Sequence, residues 1–407
     1  MKISLPYRQD SIEVNILDDK LAAVLEPNKV EKCPDPIQAV KDAGGPAFID
    51  FLNGAGKLLV IVNDGTRPTP TRTVIEAVAD ELDSAGAEFI IATGAHRAPT
   101  SEEYDFIFGS TWERFKDRVS FHDARRDEMF RLGETSRGTE VFLNTKIREA
   151  ERVLIIGSVE PHYFAGYTGG RKGFLPGVAA FSTIEQNHRL ALSPDAKTLA
   201  LCGNPVHEDM LEGCRMLDKE VFTLMTVLDR EQDIYAVTSG SLESAFDEAV
   251  RRAAEVFVVP LAQKVDVVIA CAKYPMDIDL YQSQKAIENA KLALKPGGTL
   301  ILVSSCRDGI GDDTFSALLS SCDSPDSVFK KIEERYKLGY HKAAKIAEIL
   351  DMARVLAYTD LEDKELESVF IKPVNNLQKT LDDLLKEAPG AKVVLMPDAS
   401  VTVPMAE

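Results

Sequence analysis

Short apolar runs alternate with amphipathic stretches along the whole chain. KLLVIVN (57–63) has the continuous apolar character of a strand buried on both faces. After a polar loop, Val74, Val78, Leu82 and Ala85 recur at helical spacing and predict a helix over 71–85. AEFIIATG (87–94), RVLIIGSVE (152–160) and VFTLMTVLD (221–229) read as further strands. Thr100 followed by Glu103 forms a capping box that opens another helix. From residue 264 the alternation restarts. KVDVVIACA (264–272), KPGGTLILVSS (295–305), RVLAYT (354–359) and AKVVLMPD (391–398) read as strands, with helices expected at 279–294, 326–337, 341–353 and 376–388. Strands separated by loops and helices in this order predict mostly parallel sheets covered on both faces. The expected fold is therefore α/β, with two doubly wound, Rossmann-like domains over residues 1–262 and 263–407 and the active site in the cleft between them. A length of 407 residues agrees, being more than one ordinary core accommodates.

Charge narrows the partners. Lys and Arg number 47 against 65 Asp and Glu, a net −18, which argues against broad nucleic-acid or anionic-membrane binding. The start, MKISLPYRQDSIEVNILDD, lacks the apolar core of a signal peptide, and no apolar run approaches the length of a spanning helix. The six cysteines (33, 202, 214, 271, 306 and 322) are scattered without a CxxC pair, as expected of reduced thiols in a cytoplasmic protein.

Candidate chemistry gathers where strands end, which is where open α/β sheets bind ligands. NDGTRPTPT (63–71), TGAHRAPT (93–100) and EPHYFAGYTGGRKGFLPG (160–177) each follow a strand, and each carries a cation on a backbone stiffened by glycine or proline. His96 and His162 lie in two such loops, near Arg97 and Arg171, and imidazoles facing one another can remove and supply protons near neutral pH. Arg67, between Thr66 and Pro68, suits bidentate carboxylate binding, and Asp64 either caps the turn or orients Arg67 or a ligand hydroxyl. Lys172 follows Gly169, Gly170 and Arg171 but precedes Gly173, so the Walker spacing is absent. It is either a solvated or phosphate-contacting lysine, or an amine available for a covalent bond. His188, in FSTIEQNHRLAL, falls on a helix. In the second domain Tyr281, Gln282 and Lys285 share one helix face. No G-x-G-x-x-G stands where nicotinamide binding requires it. Taken alone, these residues also allow a metal-dependent hydrolase that uses His96, His162 and Asp64 as ligands, or a non-catalytic small-anion or nucleotide sensor.

DGTRPTP, TGAHR, EPHYFAGYTGGRKGFLPG and YQSQK, in that order, resemble the motifs of the nickel-pincer lactate racemase family; the likeness is densest from 64 to 188. The resemblance implies a pyridinium mononucleotide with two sulfur-containing arms, tethered through a thioamide to Lys172, with its nickel also bound by His188. It implies His96 and His162 as the paired acid and base, and Arg67 as the carboxylate-binding arginine. Asp64, Gly169, Gly170 and Arg171 would lie against the cofactor, and Tyr281, Gln282 and Lys285 would bind substrate and close the site. The implied reaction is racemisation or epimerisation of a 2-hydroxy acid, through hydride transfer and a 2-keto acid. The implied partners are that small acid and the proteins that make the cofactor. Lactate-specific members carry a tryptophan near the substrate in the second domain, whereas the single tryptophan here is Trp112 and the corresponding segment is LGYHKAAKIA. The expected substrate is therefore a 2-hydroxy acid other than lactate.

Overall fold

The computed structural model describes residues 1–53 and 56–406. They form two compact units: Lys29–Val256, and Met1–Asn28 together with the chain from Phe257 onward. The sequence pattern places residues 1–28 with the first domain; by contact they belong to the second unit. There Leu21–Val24 pairs in parallel with Val393–Met396, and the hairpin of Lys2–Tyr7 and Asp10–Asn15 buries Leu5 and Val14 in that unit's core. An isolated hairpin is marginal in water, so it must pack on a larger sheet, and local periodicity does not say which one.

The first unit holds a six-stranded sheet in the order Ile234–Gly240, Glu220–Leu228, Arg152–Ser158, Leu58–Asn63, Glu88–Ala92, Val119–Phe121. All neighbours are parallel except the first pair. Leu58 to Val62 are at most 1 % exposed, as an uninterrupted apolar run in a central strand requires. The helix expected over 71–85 is two helices, Thr71–Ala77 and Ala79–Ser84, parted at Val78, whose φ of −124° leaves the helical region. The Thr100 capping box forms, with both reciprocal bonds to Glu103. Pro36–Leu52, a stretch for which the sequence pattern names no element, is a helix kinked at Gly45. Its Phe48 and Phe51 pack on Phe222, ring centroids 5.6 and 5.3 Å apart.

The second unit has a six-stranded, wholly parallel sheet in the order Lys372–Pro373, Arg354–Tyr358, Leu294–Val303, Val265–Cys271, Val393–Met396, Leu21–Val24. Both units are thus α/β with largely parallel sheets, as the alternation of strands and helices predicts. No helix among the described residues is long and apolar enough to cross a membrane.

Candidate active site

Arg152–Ser158, Leu58–Asn63 and Glu88–Ala92 are neighbours in one parallel register, so the three polar loops leave the sheet side by side at its carboxyl edge. Loop and sheet are laced together there: Asn63 Nδ2 donates to Thr69 Oγ1 at 2.6 Å, and Thr69 Oγ1 meets Ser158 Oγ at 2.7 Å. Asp64 follows directly, 7 % exposed, and one of its oxygens accepts from the Thr66 hydroxyl at 2.7 Å. The other lies 2.7 Å from His96 Nδ1. Burial pushes the Asp64 carboxyl up, but the bonds from His96 and Thr66 and the charge of Arg67 outweigh it and hold the carboxyl below its ordinary range. An ionised Asp64 must accept, so His96 Nδ1 carries the proton and Nε2 is left for exchange with a ligand. Arg97 turns away from His96, making two bonds to Glu103 at 2.8 and 3.0 Å.

Asp64→Asn is expected to cost about 1.5–3 kcal/mol of stability at pH 7, the range for a hydrogen bond to a charged group. Because the folded carboxyl titrates below its ordinary value, its contribution is complete above about pH 4 and is lost as pH falls through the depressed folded value. Denaturant unfolding of both proteins from pH 7 to pH 3 should show the two stabilities converging on the acid side. A gap of constant size would contradict this account.

The third loop closes on itself. His162 Nε2 lies 3.0 Å from Lys172 Nζ, ten positions on, while His162 Nδ1 accepts from the Ala165 N–H at 3.3 Å. Phe164 walls this pair. Its ring stands edge-on to His162 at 4.5 Å and to His188 at 5.2 Å, and Lys172 Nζ lies 5.5 Å from its centre. His188 sits near the end of the helix Phe181–Arg189. Burial, with Lys172 and His96 adding to it, pushes the His188 imidazole down to about 3, so it is neutral at physiological pH. The preceding residue anchors this helix: Asn187 Nδ2 donates at 2.8 Å to Asp209, a fully buried carboxylate that also accepts from Thr139 at 2.9 Å and from Thr135. Phe164 and Asp209 escape sequence reasoning. The only signal was the aromatic pair beside His162; Thr135, Thr139, Asn187 and Asp209 are scattered over seventy positions.

Gly169 is half-buried, Gly170 and Arg171 are buried, and all three pack against the protein itself. Gly169 has φ +81° and a Cβ there would meet Val159 Cγ2 at 2.5 Å; Gly170 has φ +51° and presses on Met225 and Phe246. Their bareness serves the loop's own packing. Arg171 is 1 % exposed, with its guanidinium 4.4 Å from the Phe246 ring centre.

His96 and Asp64 engage each other and His162 engages Lys172, so the three do not form the shared ligand set of the hydrolase alternative. More generally, no three His, Cys, Asp or Glu side chains converge as metal ligands among the described residues.

In the second unit Asp279 caps the helix Leu280–Ala290 by accepting from Gln282 N at 2.6 Å, and Tyr281, Gln282 and Lys285 are partly exposed along that helix. Lys342, 5 % exposed, places its ammonium 3.4 Å over the Tyr281 ring and donates to the Tyr281 carbonyl. Burial, then the charge of Lys285, hold the Lys342 ammonium well below its usual range. It stands in LGYHKAAKIA, but nothing in that segment's pattern says that a lysine points inward.

Two parallel-sheet α/β units, with one histidine held by a carboxylate and another beside a lysine in loops at the carboxyl edge of one sheet, are of the class of α/β enzymes that bind small ligands at strand ends. The chain matches the lactate racemase N-terminal domain over residues 7–199 and the lactate racemase C-terminal domain over 261–403. It is 30 % identical over 399 residues to the lactate racemase of Thermoanaerobacterium thermosaccharolyticum, covering 93 % of each chain. It is also 30 % identical over 425 residues to that of Lactiplantibacillus plantarum, covering 97 % of this chain and 98 % of the other. Its fold is similar to the lactate racemase apoprotein from T. thermosaccharolyticum, with a TM-score of 0.92 and 28 % identity over the whole of both chains. A protein from Thermotoga maritima shares the fold at a TM-score of 0.72 and 16 % identity, over 93 % of this chain and 100 % of that one. The chain belongs to the lactate racemase family and is a racemase, an isomerase.

Proposed function

We propose that this racemase inverts C2 of a 2-hydroxy acid other than lactate, with a nickel-pincer nucleotide tethered at Lys172 and its nickel bound by His188. The observation that carries the proposal is the 3.0 Å contact between Lys172 Nζ and His162 Nε2. Lys172 Nζ therefore stands partly exposed beside a group able to transfer protons, where its amine, once deprotonated, can form a covalent bond. A free amine is the form that makes covalent bonds. The donor set fits the cofactor: one lysine for the tether and one neutral imidazole for a metal that brings its other ligands with it.

The bound cofactor would supply a hydride acceptor able to return hydride to either face of C2, needed because C2–H of a hydroxycarboxylate is too weakly acidic for histidine to deprotonate efficiently. The side chains would do the rest. Arg67 would hold the substrate carboxylate. His96, through the Nε2 that Asp64 leaves free, would exchange the hydroxyl proton on one side and His162 on the other. We assign Tyr281, Gln282 and Lys285 to substrate binding as well. A substrate with polar groups beyond C2 is supported by His341 and Lys342, both buried in the segment where a tryptophan is expected of lactate-specific members. Trp112 instead packs on Tyr104 and Phe108, at 5.0 and 5.7 Å.

The test is to co-express the chain with the cofactor-biosynthesis proteins, then measure intact mass, map the Lys172 peptide, quantify nickel and screen chiral 2-hydroxy acids. A nucleotide-sized adduct on Lys172, about one nickel per chain and faster turnover of polar acids than of lactate are expected. His188→Ala should keep the adduct and lose most of the nickel. An unmodified Lys172, under conditions that load a lactate racemase, would overturn the proposal.

A further inference from the structure

We infer that Arg171 is the positioning residue for Lys172 and His162, an internal staple that closes the loop between them. Lys172 meets His162 only because the intervening chain folds back on itself. Arg171 Nη2 donates to the carbonyls of Ala165 and Tyr167 at 2.7 and 2.8 Å. Nη1 donates, at longer range, to those of Thr168 and Gly169 at 3.4 and 3.3 Å. All four acceptors lie between the two reactive side chains. A planar fork of donors is the side chain that can collect several carbonyls of one tight loop at once, and its charge strengthens each bond.

The staple is itself held from outside the loop. The guanidinium lies on Phe246, from the helix Leu242–Phe257, and His207 stacks on the same ring at 6.0 Å. Cys214, from the helix Pro205–Arg215, donates its thiol to the Arg171 carbonyl at 3.7 Å. Burial pulls the guanidinium down to about 9, which still leaves it charged at neutral pH. Thus a buried cation is kept inside the protein, where it sets the curvature of the segment bearing the tether. Lysine cannot replace it: a single ammonium has the charge but not the spread of donors, and some of the four carbonyls lose their partner.

This inference rests on the proposed roles of Lys172 and His162, so its test must separate the two. In the apoprotein, the initial rate at which an amine-reactive acetylating reagent labels Lys172 at fixed pH, read by peptide mass mapping, reports the His162–Lys172 contact without any cofactor. Wild type would be compared with Arg171→Lys, with Phe246→Leu, with His162→Asn as the reference for a broken contact, and with Phe115→Leu, a core change in the same unit. Arg171→Lys should move the rate towards that of His162→Asn, and Phe246→Leu should move it the same way by less. Phe115→Leu should lower Tm but label as wild type. In the loaded enzyme, kcat per Lys172 adduct should fall about a hundredfold in Arg171→Lys, the effect of misplacing a reacting group by about 1 Å, with KM nearly unchanged. Wild-type labelling in Arg171→Lys, or an equal change in Phe115→Leu, would overturn the inference. Were wild type to take no adduct, the proposed function would fall, and the labelling comparison would still decide the role of Arg171.

Discussion

Lys172→Arg is expected to fold, keep its charge and lose racemisation entirely, by about 10⁴-fold or more, the scale seen when a covalent centre is removed. Arginine has the length to reach His162, but its guanidinium stays protonated and is no nucleophile at neutral pH. The substitution thus separates charge from covalent chemistry. Lys172 is only partly buried and its nitrogen meets His162 and the Phe164 ring of its own loop, so a fold resting on Ile155, Ile61 and the surrounding core should persist. Intact mass should show no nucleotide-sized adduct, and nickel should fall to background. Circular dichroism and Tm should stay close to wild type. Retained activity, or an adduct mapped to another residue, would mean that the tether lies elsewhere and that the pairing with His162 serves some other end.

The second large effect is expected from the two histidines. His96→Asn and His162→Asn should each cut steady-state racemisation in both directions by about 10²–10⁴-fold, the usual contribution of general acid–base catalysis. Racemisation needs a group on either side of the substrate, so loss of one blocks the full cycle whichever enantiomer is supplied. A single turnover distinguishes the two. Each variant should still form 2-keto acid from one enantiomer, and the two should differ in which one they accept. If both variants lost the same enantiomer, His96 and His162 would not serve opposite faces. The structure gives the two rings different supports, a buried carboxylate at 2.7 Å for His96 and a lysine nitrogen at 3.0 Å for His162. Their variants should therefore also differ in apoprotein behaviour: His162→Asn should alter Lys172 labelling, and His96→Asn should leave it unchanged.

Much of this protein is legible in one dimension because two of its rules are local. A central parallel strand is buried on both faces and reads as an unbroken apolar run, so Leu58–Asn63 and Val265–Cys271 stand out at once. The polar loop that follows such a strand falls at the carboxyl edge of the sheet, so sequence alone places Asp64, Arg67, His96 and His162 at strand ends. The Thr100 capping box is equally local and forms as expected. The kinked helix Pro36–Leu52 was hidden by its own Gly-Gly-Pro, since tertiary packing of Phe48 and Phe51 on Phe222 overrides a weak local preference.

The sequence by itself determined the architecture of repeated strand, loop and helix, the charge that argues against acidic polymers as partners, and the order of motifs that marks the lactate racemase family. Only the tertiary structure decided what each motif side chain touches. It turned Arg171 inward onto four carbonyls and Phe246, turned Arg97 away to Glu103, and set Phe164 as a wall common to His162, Lys172 and His188. It also moved the first 28 residues to the second unit. The physical reason is the same in each case. Backbone pattern follows from neighbours a few residues away, whereas the direction of a side chain depends on which distant groups can satisfy its charge or cover its surface once the chain has closed.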